Sequence, residues 1–287
     1  MNKKDIAVVI PIYLPSLSNS ERISLEQCLK LLSSYSIVVI KPESLDLDDI
    51  INFYGLTHIE AFPDKYFVSL RAYNKLVLSE EFYRSFQHYT YMLIYQLDAY
   101  VFKDELLNWA NKGYDYIGAP WLPWKKRHLS VIGRYRLYCQ RLFCRLFDEK
   151  TFKTDKYYAY QVGNGGFSLR RISKMLEITT HYKTKISKLL DDDAPFYPED
   201  VLLLYELTDR NFHLKKPCFK EALQFAMEEN PKWAYCYNGN QLPFGCHAWC
   251  HKDYYPFWSS FIKYRFLIAD FDTRSTDTLH IILGNGN

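Results

Sequence analysis

The stretch from residue 6 to residue 40 decides the fold: IAVVIPI (6–12), then SERISLEQCLKLLSS (20–34), then SIVVI (36–40). The first and third pieces are short, continuous and rich in β-branched residues, which is typical of strands buried on both faces. Between them, apolar residues at positions 25, 28, 29 and 32 recur at helical spacing. A strand, a helix and a second strand in this order predict a parallel β-α-β unit.

The same alternation continues along the chain. Further strands are predicted at residues 57–62, 89–95 and 114–117, with an extended piece at 100–102. Helices are predicted at 67–86, with a break near Ser79, and at 104–111, closed by Gly113. The predicted fold is therefore α/β, with a mixed, mainly parallel sheet flanked by helices.

Composition excludes several classes of protein. The chain has 287 residues and is 48% hydrophobic, which supplies a core and excludes disorder of the whole chain. Its 36 basic and 33 acidic residues give a net charge of +3, too balanced for a general nucleic-acid binder. Aromatic residues make up 17%, which suits stacking on sugar rings or nucleobases and equally suits a tyrosine-rich core.

The N-terminus and the cysteines indicate a compartment. The apolar run at residues 6–12 contains Pro11 and is too short for a signal peptide, and no segment reaches the ~20 apolar residues of a membrane span. Seven cysteines without framework spacing are typical of reduced thiols. We therefore expect a cytoplasmic protein, with contact to the inner face of the membrane left open.

An acid follows one of the predicted strands directly. In parallel sheets, ligands bind beyond the carboxyl ends of the strands. Asp98 stands at that position in YQLDA (95–99), where a carboxylate is costly to bury without a partner. It is either a ligand of Mg²⁺ or Mn²⁺, which prefer oxygen donors, or the cap of the following turn.

Two further motifs lie in the second half. VGNGGFSLR (162–170) holds three of the 11 glycines, which indicates either close approach of a ligand to the backbone or a tight turn, with Ser168 expected at a strand-to-helix entry. In PED (198–200), Asp200 stands near a predicted helix start, as a plain N-cap or as a general base.

The segment PFGCHAWCH (243–251) offers cysteine and histidine. Its spacing fits no common zinc module and no haem attachment site. A single histidine that completes a Mg²⁺ or Mn²⁺ site is the more plausible interpretation.

Residues 125–147 hold seven Lys and Arg and no acid. A helix beginning at Val131 would place Arg134, Arg141 and Arg145 on one face, beside an apolar face. Such a helix can lie on an anionic membrane, hold a phosphate-bearing substrate, or form a solvated lid.

Taken in order, the motifs IAVVIPIY, YQLDAYVF, DYIGAPW, VGNGGFSLR, PED and PFGCHAW resemble the bacterial DUF5672 family of GT-A-like glycosyltransferases, over roughly residues 5–255. The resemblance implies a GT-A-like, Rossmann-like domain at 1–255. It carries a basic insertion near 122–158, and residues 256–287 form an extension that packs on it.

The same resemblance implies the parts of a site. The Asp-x-Asp motif corresponds to Gln96-Leu97-Asp98, so the first acid is replaced by a neutral oxygen donor, and His247 matches the C-terminal histidine that joins the metal. Asp200 is implied as the base of an inverting reaction, with Glu199 beside it as the second catalytic residue. Gln96, Asp98, Gly165 and Gly166 are the donor-binding residues that the resemblance implies. Pro11 and Tyr13, which follow the first predicted strand, and Arg71, chosen by its place in the chain alone, are further candidates for donor binding. Trp121, Trp124, Phe244 and Trp249 stack on sugar or base, or belong to the core.

The function implied is transfer of a sugar from a nucleotide-sugar, a UDP-sugar above all, to a hydroxyl of a glycan or lipid-linked acceptor, with Mn²⁺ or Mg²⁺ on the diphosphate. Cell-surface polysaccharide biosynthesis is the expected setting, with no nucleic-acid partner and with peripheral membrane contact through 125–147. Three alternatives stay open: a metal-independent transferase, a catalytically silent sugar- or nucleotide-binding protein of the same fold, and a metal hydrolase.

Overall fold

The computed structural model describes residues 1–122, 131–147, 158–191, 196–207 and 212–263. Nine strands lie in this part of the chain. They are β1 (Ile6–Pro11), β2 (Ser36–Pro42), β3 (His58–Phe62), β4 (Tyr91–Tyr95), β5 (Tyr100–Val101), β6 (Tyr116–Ile117), β7 (Phe167–Arg171), β8 (Ala226–Met227) and β9 (Gly245–Cys246). Strand β1 begins the unit that the sequence predicts, and β2 pairs with it in parallel.

The strands form two sheets. The larger has the order β3-β2-β1-β4-β7-β6, in which the pairs among β1, β2, β3 and β4 are parallel and both pairs made by β7 are antiparallel. The smaller has the order β5-β9-β8. The prediction of a mixed, mainly parallel sheet is confirmed. The prediction for Ser168 is wrong: it lies inside β7, and the next helix begins at Ile172.

Helices pack on both faces of the larger sheet. The helices of the described residues, on this sheet and elsewhere, are Asn19–Leu32, Asp48–Tyr54, Leu70–Val77, Glu80–Ser85, Leu106–Asn111, Val131–Phe147, Ile172–His181, Lys183–Leu189, Glu199–Val201, Phe219–Phe225, Pro231–Tyr237 and Tyr255–Trp258, with a π-helical turn at Leu202–Glu206 and 3₁₀ turns at Lys3–Asp5 and Asp64–Tyr66. The break expected near Ser79 is present. The Ser79 hydroxyl caps the helix Glu80–Ser85 by accepting a hydrogen bond from the Phe82 N–H at 3.0 Å.

Strand β1 shows why the pattern of the first strand is continuous rather than alternating. Ile6, Val8 and Ile10 pack into the core on one face of the sheet, and Ala7 and Val9 pack into the core on the other. All five are fully buried. A strand covered on both faces needs apolar residues at every position, which the sequence supplies.

A third apolar cluster lies around the small sheet. It includes Cys246, Trp249, Trp258 and Ile262. Trp258 and Ile262 of the expected C-terminal extension belong to this cluster, and residues 264–287 lie outside the described residues. No helix of the described part of the chain is long and apolar enough to span a bilayer.

Candidate active site

A cavity of about 530 Å³ opens at the carboxyl ends of β1 and β4. This is the edge at which ligands bind in parallel sheets. Its lining brings together residues that the sequence singled out: Pro11, Tyr13, Gln96, Asp98, Gly165, Gly166, Glu199, Asp200 and His247. Three buried polar atoms at this lining make no hydrogen bond within the described residues, and they are Tyr73 Oη, Asp98 Oδ1 and Glu199 Oε2.

The small sheet places two of these residues side by side. Asp98 precedes β5, and His247 follows β9, which pairs with β5. The Trp249 N–H donates to the Asp98 carbonyl at 3.1 Å and fixes the loop after β9 against the end of β4. As a result, His247 Nε2 lies 3.0 Å from Asp98 Oδ1 and 3.1 Å from Gln96 Oε1.

The other nitrogen of His247 is held by a residue that the sequence did not reveal. Glu228 follows β8, which runs parallel to β9, so both side chains emerge at one edge. His247 Nδ1 lies 2.8 Å from Glu228 Oε1. The second oxygen of Glu228 accepts a hydrogen bond from the Asn164 side-chain amide. A carboxylate on the far side of an imidazole fixes its tautomer and orientation, as in many metal sites.

The carboxylates around His247 stabilise positive charge at its imidazole ring. Burial by itself lowers the pKa of His247, but Asp98 and Glu228 outweigh burial and raise this pKa well above its usual range. Burial raises the pKa of Asp98, but His247 more than offsets it, and the net shift is downward. This positive charge can be supplied by a proton on Nε2 or by a cation bound beside Nε2.

The geometry around His247 Nε2 fits a divalent cation in part. Two ligands about 2.1 Å from Mg²⁺ or Mn²⁺ and at right angles lie about 3.0 Å apart, which matches the two separations at Nε2. Asp98 Oδ1 also lacks a hydrogen bond of ordinary geometry. No group of three His, Cys, Asp or Glu side chains suited to a metal occurs among the described residues. A cation here therefore needs Gln96 Oε1 as its third protein ligand.

Asp200 is buried at the N-terminus of the helix Glu199–Val201. Its Oδ2 accepts the Asn164 N–H at 2.6 Å, and its Oδ1 accepts its neighbour Val201 N–H at 2.8 Å. Burial and the negative charges of Glu199 and Glu228 raise the pKa of Asp200 to about 7, against the lowering effect of the two N–H donors. A carboxyl with a pKa near neutrality is suited to exchange a proton at physiological pH.

Glu199 is held by Arg170 beneath the cavity. Arg170 Nη2 lies 2.5 Å from Glu199 Oε1, and the Arg170 side chain is only 1% exposed. Arg170 also donates to Tyr83 Oη and to Ser168 Oγ, each at 3.0 Å. Removing one member of such a buried pair costs about 3–5 kcal/mol. The pairing gives Glu199 a positioning part, next to the equally buried carboxyl of Asp200.

The glycine segment approaches the site so closely that side chains are excluded. A Cβ on Gly166 would lie 2.0 Å from His247 Nε2, and a Cβ on Gly165 would lie 2.0 Å from Glu199 Oε1. A Cβ on Gly163 would lie 2.1 Å from the Trp121 ring. Each of these glycines faces a protein side chain that lines the cavity, so packing against the protein itself requires the absence of a Cβ at these three positions.

A methyl group at Gly166 should therefore damage the site more than the fold. We expect Gly166→Ala to lower donor turnover by at least about 10²-fold, since a misplacement of about 1 Å carries that cost. Gly239→Ala is the control, because its Cβ meets nothing within 4 Å and only its left-handed backbone is strained, by about 1–2 kcal/mol. Equal turnover of wild type and Gly166→Ala in a nucleotide-sugar hydrolysis assay would show that Gly166 does not shape the site.

Some expected residues lie elsewhere. Arg71 is not among the lining residues: its Nη1 donates to the Asp191 carbonyl at 2.8 Å, and its guanidinium lies 5.8 Å from the Phe196 ring. Phe244 and Trp249 are fully buried core residues. Trp121 lines the cavity, whereas Trp124 lies outside the described residues.

Three residues of the site escaped the sequence analysis, namely Glu228, Asn164 and Arg170. Glu228 follows a strand of only two residues, too short to produce a pattern. Asn164 stands inside the glycine motif, and its positive φ of 64° is the kind of backbone that asparagine tolerates. An arginine inside an apolar strand was the available signal for Arg170, because a buried charge requires a partner.

The charge of the lining is one-sided. Six of its residues are acidic, and two are histidines: Glu21, Asp98, Glu199, Asp200, Glu228 and Glu229, with His247 and His251. None of the described lining residues is Lys or Arg.

Comparison with known proteins places this geometry in context. The DUF5672 family, described as a protein of unknown function, matches residues 57–247. No curated protein sequence matches the chain. The galactosyltransferase LgtC, solved in complex with donor and acceptor sugar analogues, has a similar structure: TM-score 0.51, 10% identity, and coverage of 90% of this chain and 94% of that one.

Two more distant structural matches are also glycosyltransferases. One is mouse xyloside xylosyltransferase 1 in apo form, with a TM-score of 0.48, 9% identity, and coverage of 84% of this chain and 97% of that one. The other acts in glycosylation of the major capsid of PBCV-1, with a TM-score of 0.47, 11% identity, and coverage of 84% and 91%. The likeness to LgtC carries the fold assignment, which is GT-A-like.

Proposed function

Because the chain belongs to the DUF5672 family and has a GT-A-like fold, we propose that it is a glycosyltransferase that moves a sugar from a nucleotide-sugar donor to a hydroxyl acceptor. The observation that carries the proposal is the meeting of Gln96, Asp98 and His247 in one cavity with Asp200. A donor diphosphate and an attacking hydroxyl need these two chemistries: a positive centre for the leaving group and a base for the proton.

The charge of the cavity supports a metal-dependent form of this function. A nucleoside diphosphate is an anion, yet the described lining offers six carboxylates and neither Lys nor Arg. Repulsion between like charges would oppose binding unless a cation is bound with the donor. Mn²⁺ or Mg²⁺ held by Asp98, Gln96 and His247 would neutralise the diphosphate and stabilise its negative charge as it departs.

The protein's own residues would prepare the remaining steps. Glu228 would accept a hydrogen bond from His247 Nδ1–H, which would leave the lone pair of Nε2 to face the cation. Asp200, with its pKa raised to about 7, is ionised in about half of the molecules at neutral pH. In that form Asp200 would take the proton of the acceptor hydroxyl, on the face of the sugar opposite the leaving group, which gives inversion of configuration.

Arginine substitution for the metal receives less support. Arg170, which lies behind Gly165, is committed to Glu199, Tyr83 and Ser168. Arg71 contacts Asp191 and Phe196 outside the lining. Both arginines are thus engaged away from the position that a diphosphate would occupy.

We place the reaction in the cytoplasm, with a UDP-sugar as donor and a glycan or lipid-linked precursor as acceptor. Aromatic rings at the cavity wall support a sugar acceptor, namely those of Tyr13, Phe67, Tyr73 and Trp121. Such flat faces with polar handles stack well on sugar rings.

The first test is stabilisation by nucleotides. With Mn²⁺ present and free nucleoside diphosphate at about 100 times its Kd, bound nucleotide should stabilise the protein by ~2.7 kcal/mol, or about 5 °C in Tm. Chelation of the metal should remove the shift. If no nucleoside diphosphate or nucleotide-sugar raises Tm, with or without metal, the proposed function is wrong.

A further inference from the structure

The helix Val131–Phe147 presents apolar side chains to solvent. Ile132 is 67% exposed, Tyr135 68%, Tyr138 62% and Leu142 44%. At 100° per residue these four side chains fall within one arc of about 120°. In the described part of the chain, no other helix or strand packs extensively against this one. A contiguous exposed apolar face of this kind marks an interaction surface.

The sequence that contains this helix is rich in basic residues. The stretch 125–147 contains seven Lys and Arg and neither Asp nor Glu, in a chain whose net charge is only +3. Within the helix, the exposed Arg136 borders the apolar arc. An apolar stripe bordered by cations is complementary to a surface that has an apolar interior and anionic head groups.

The helix lies in the sequence between Trp121 and Tyr160, two residues that hydrogen-bond to each other at the cavity wall. The Trp121 N–H donates to the Gln161 carbonyl at 2.9 Å, and the Tyr160 N–H donates to the Trp121 carbonyl at 2.7 Å. The next residues inward, Pro120 and Val162, form an antiparallel bridge. These bonds join the two ends of the segment that contains the helix, beside Trp121, a residue that lines the cavity.

We propose that the helix Val131–Phe147 docks on an anionic lipid bilayer, with Ile132, Tyr135, Tyr138 and Leu142 buried at the level of the head groups and Arg136 against anionic lipids. Since the two ends of the segment that contains the helix meet at the cavity wall, docking would hold the cavity near the membrane surface. Lipid binding is independent of the proposed function, which can fail without affecting it.

The test is co-sedimentation of the full chain with vesicles of phosphatidylcholine, with and without phosphatidylserine. We expect binding to the phosphatidylserine vesicles, weakened by added salt. The triple variant Ile132→Ser, Tyr135→Ser, Leu142→Ser should lose at least about tenfold in affinity, because each substitution removes apolar area from the interface with the lipid. Arg136→Gln should weaken binding to the anionic vesicles alone.

The matched control is the pair Phe53→Ser and Val68→Ser, which removes exposed apolar side chains elsewhere (80% and 65% exposed). This control should bind as the wild type does, and unchanged Tm of every variant verifies that the fold survives. Three results would overturn the proposal: no binding of the wild type, equal loss in control and triple variant, or sedimentation velocity showing that the helix pairs two copies of the chain instead of binding vesicles.

Discussion

Replacement of Asp200 by asparagine is expected to lower donor hydrolysis and sugar transfer by about 10²–10⁴-fold, the usual contribution of a general base. Asparagine has nearly the same shape as aspartate but cannot accept a proton. Nucleotide binding should persist, because the Asp200 carboxyl accepts hydrogen bonds from the N–H groups of Asn164 and Val201 and is not one of the three groups, Gln96, Asp98 and His247, proposed to hold the cation. The measurement is the rate of nucleoside diphosphate release from a nucleotide-sugar, beside calorimetric nucleotide binding.

The pH profile sharpens this experiment. A base works in its ionised form, so the wild-type rate should rise with pH through the pKa of Asp200, about 7, and level off above it. Burial and the charge of Glu228 also raise the pKa of Glu229, another lining carboxyl, to about 7. Glu229→Gln therefore distinguishes the two groups, because it should keep the rise that Asp200→Asn loses.

An exposed acid provides the control for charge removal. Glu177→Gln lies on the helix Ile172–His181, where its carboxylate pairs with Lys174, and it should behave as the wild type. Asp200→Asn with full activity and an unchanged pH profile would exclude Asp200 as the base. Loss of nucleotide binding together with activity would instead assign Asp200 to donor binding.

Replacement of Asp98 by asparagine should lower metal-dependent nucleotide binding by at least about 10²-fold. The change removes the one carboxylate beside His247 Nε2, at 3.0 Å, and second-shell changes alone typically cost 10–100-fold in metal affinity. Glu228→Gln, which acts from the far side of the imidazole, should fall in that smaller range of about 10–100-fold. The measurement is calorimetric titration of a nucleoside diphosphate, with Mn²⁺ and with chelator.

The graded order of the two variants is the informative outcome. In the presence of chelator, wild type and both variants should bind the nucleotide equally weakly, and Glu177→Gln should match the wild type throughout. If Asp98→Asn binds as tightly as the wild type when Mn²⁺ is present, the cation is not held at Asp98. If Glu228→Gln has the larger effect, Glu228 contacts the ligand directly.

Local patterns predicted the parallel half of the fold. Strand β1 is apolar at each position because both of its faces are buried, and Asp98 follows β4 at the edge where the cavity opens. The break at Ser79 was also predictable, because a serine directly before a helix can cap it by accepting a hydrogen bond from a backbone N–H of the first turn, here that of Phe82. These features depend on neighbours in sequence, which one sequence contains.

Long-range pairings were not predictable in the same way. Strands β5, β8 and β9 have two residues each, and only their pairing brings Glu228 and His247 to one edge. Phe244 and Trp249 stand beside a site motif but are buried, because an aromatic ring suits a core as well as a binding surface. Arg71 was chosen by its place in the chain alone, and its side chain lies outside the lining.

The most direct test of the central claim is turnover of a panel of nucleotide-sugars, UDP-sugars first, by the full chain. We expect at least one donor to release its nucleoside diphosphate when Mn²⁺ or Mg²⁺ is present. Chelator should stop this release, and the Asp200→Asn variant should not show it. A protein that binds nucleotide but turns over none of the donors, with sugar acceptors present, would contradict the proposed transferase activity and identify a binding protein with the fold of a glycosyltransferase.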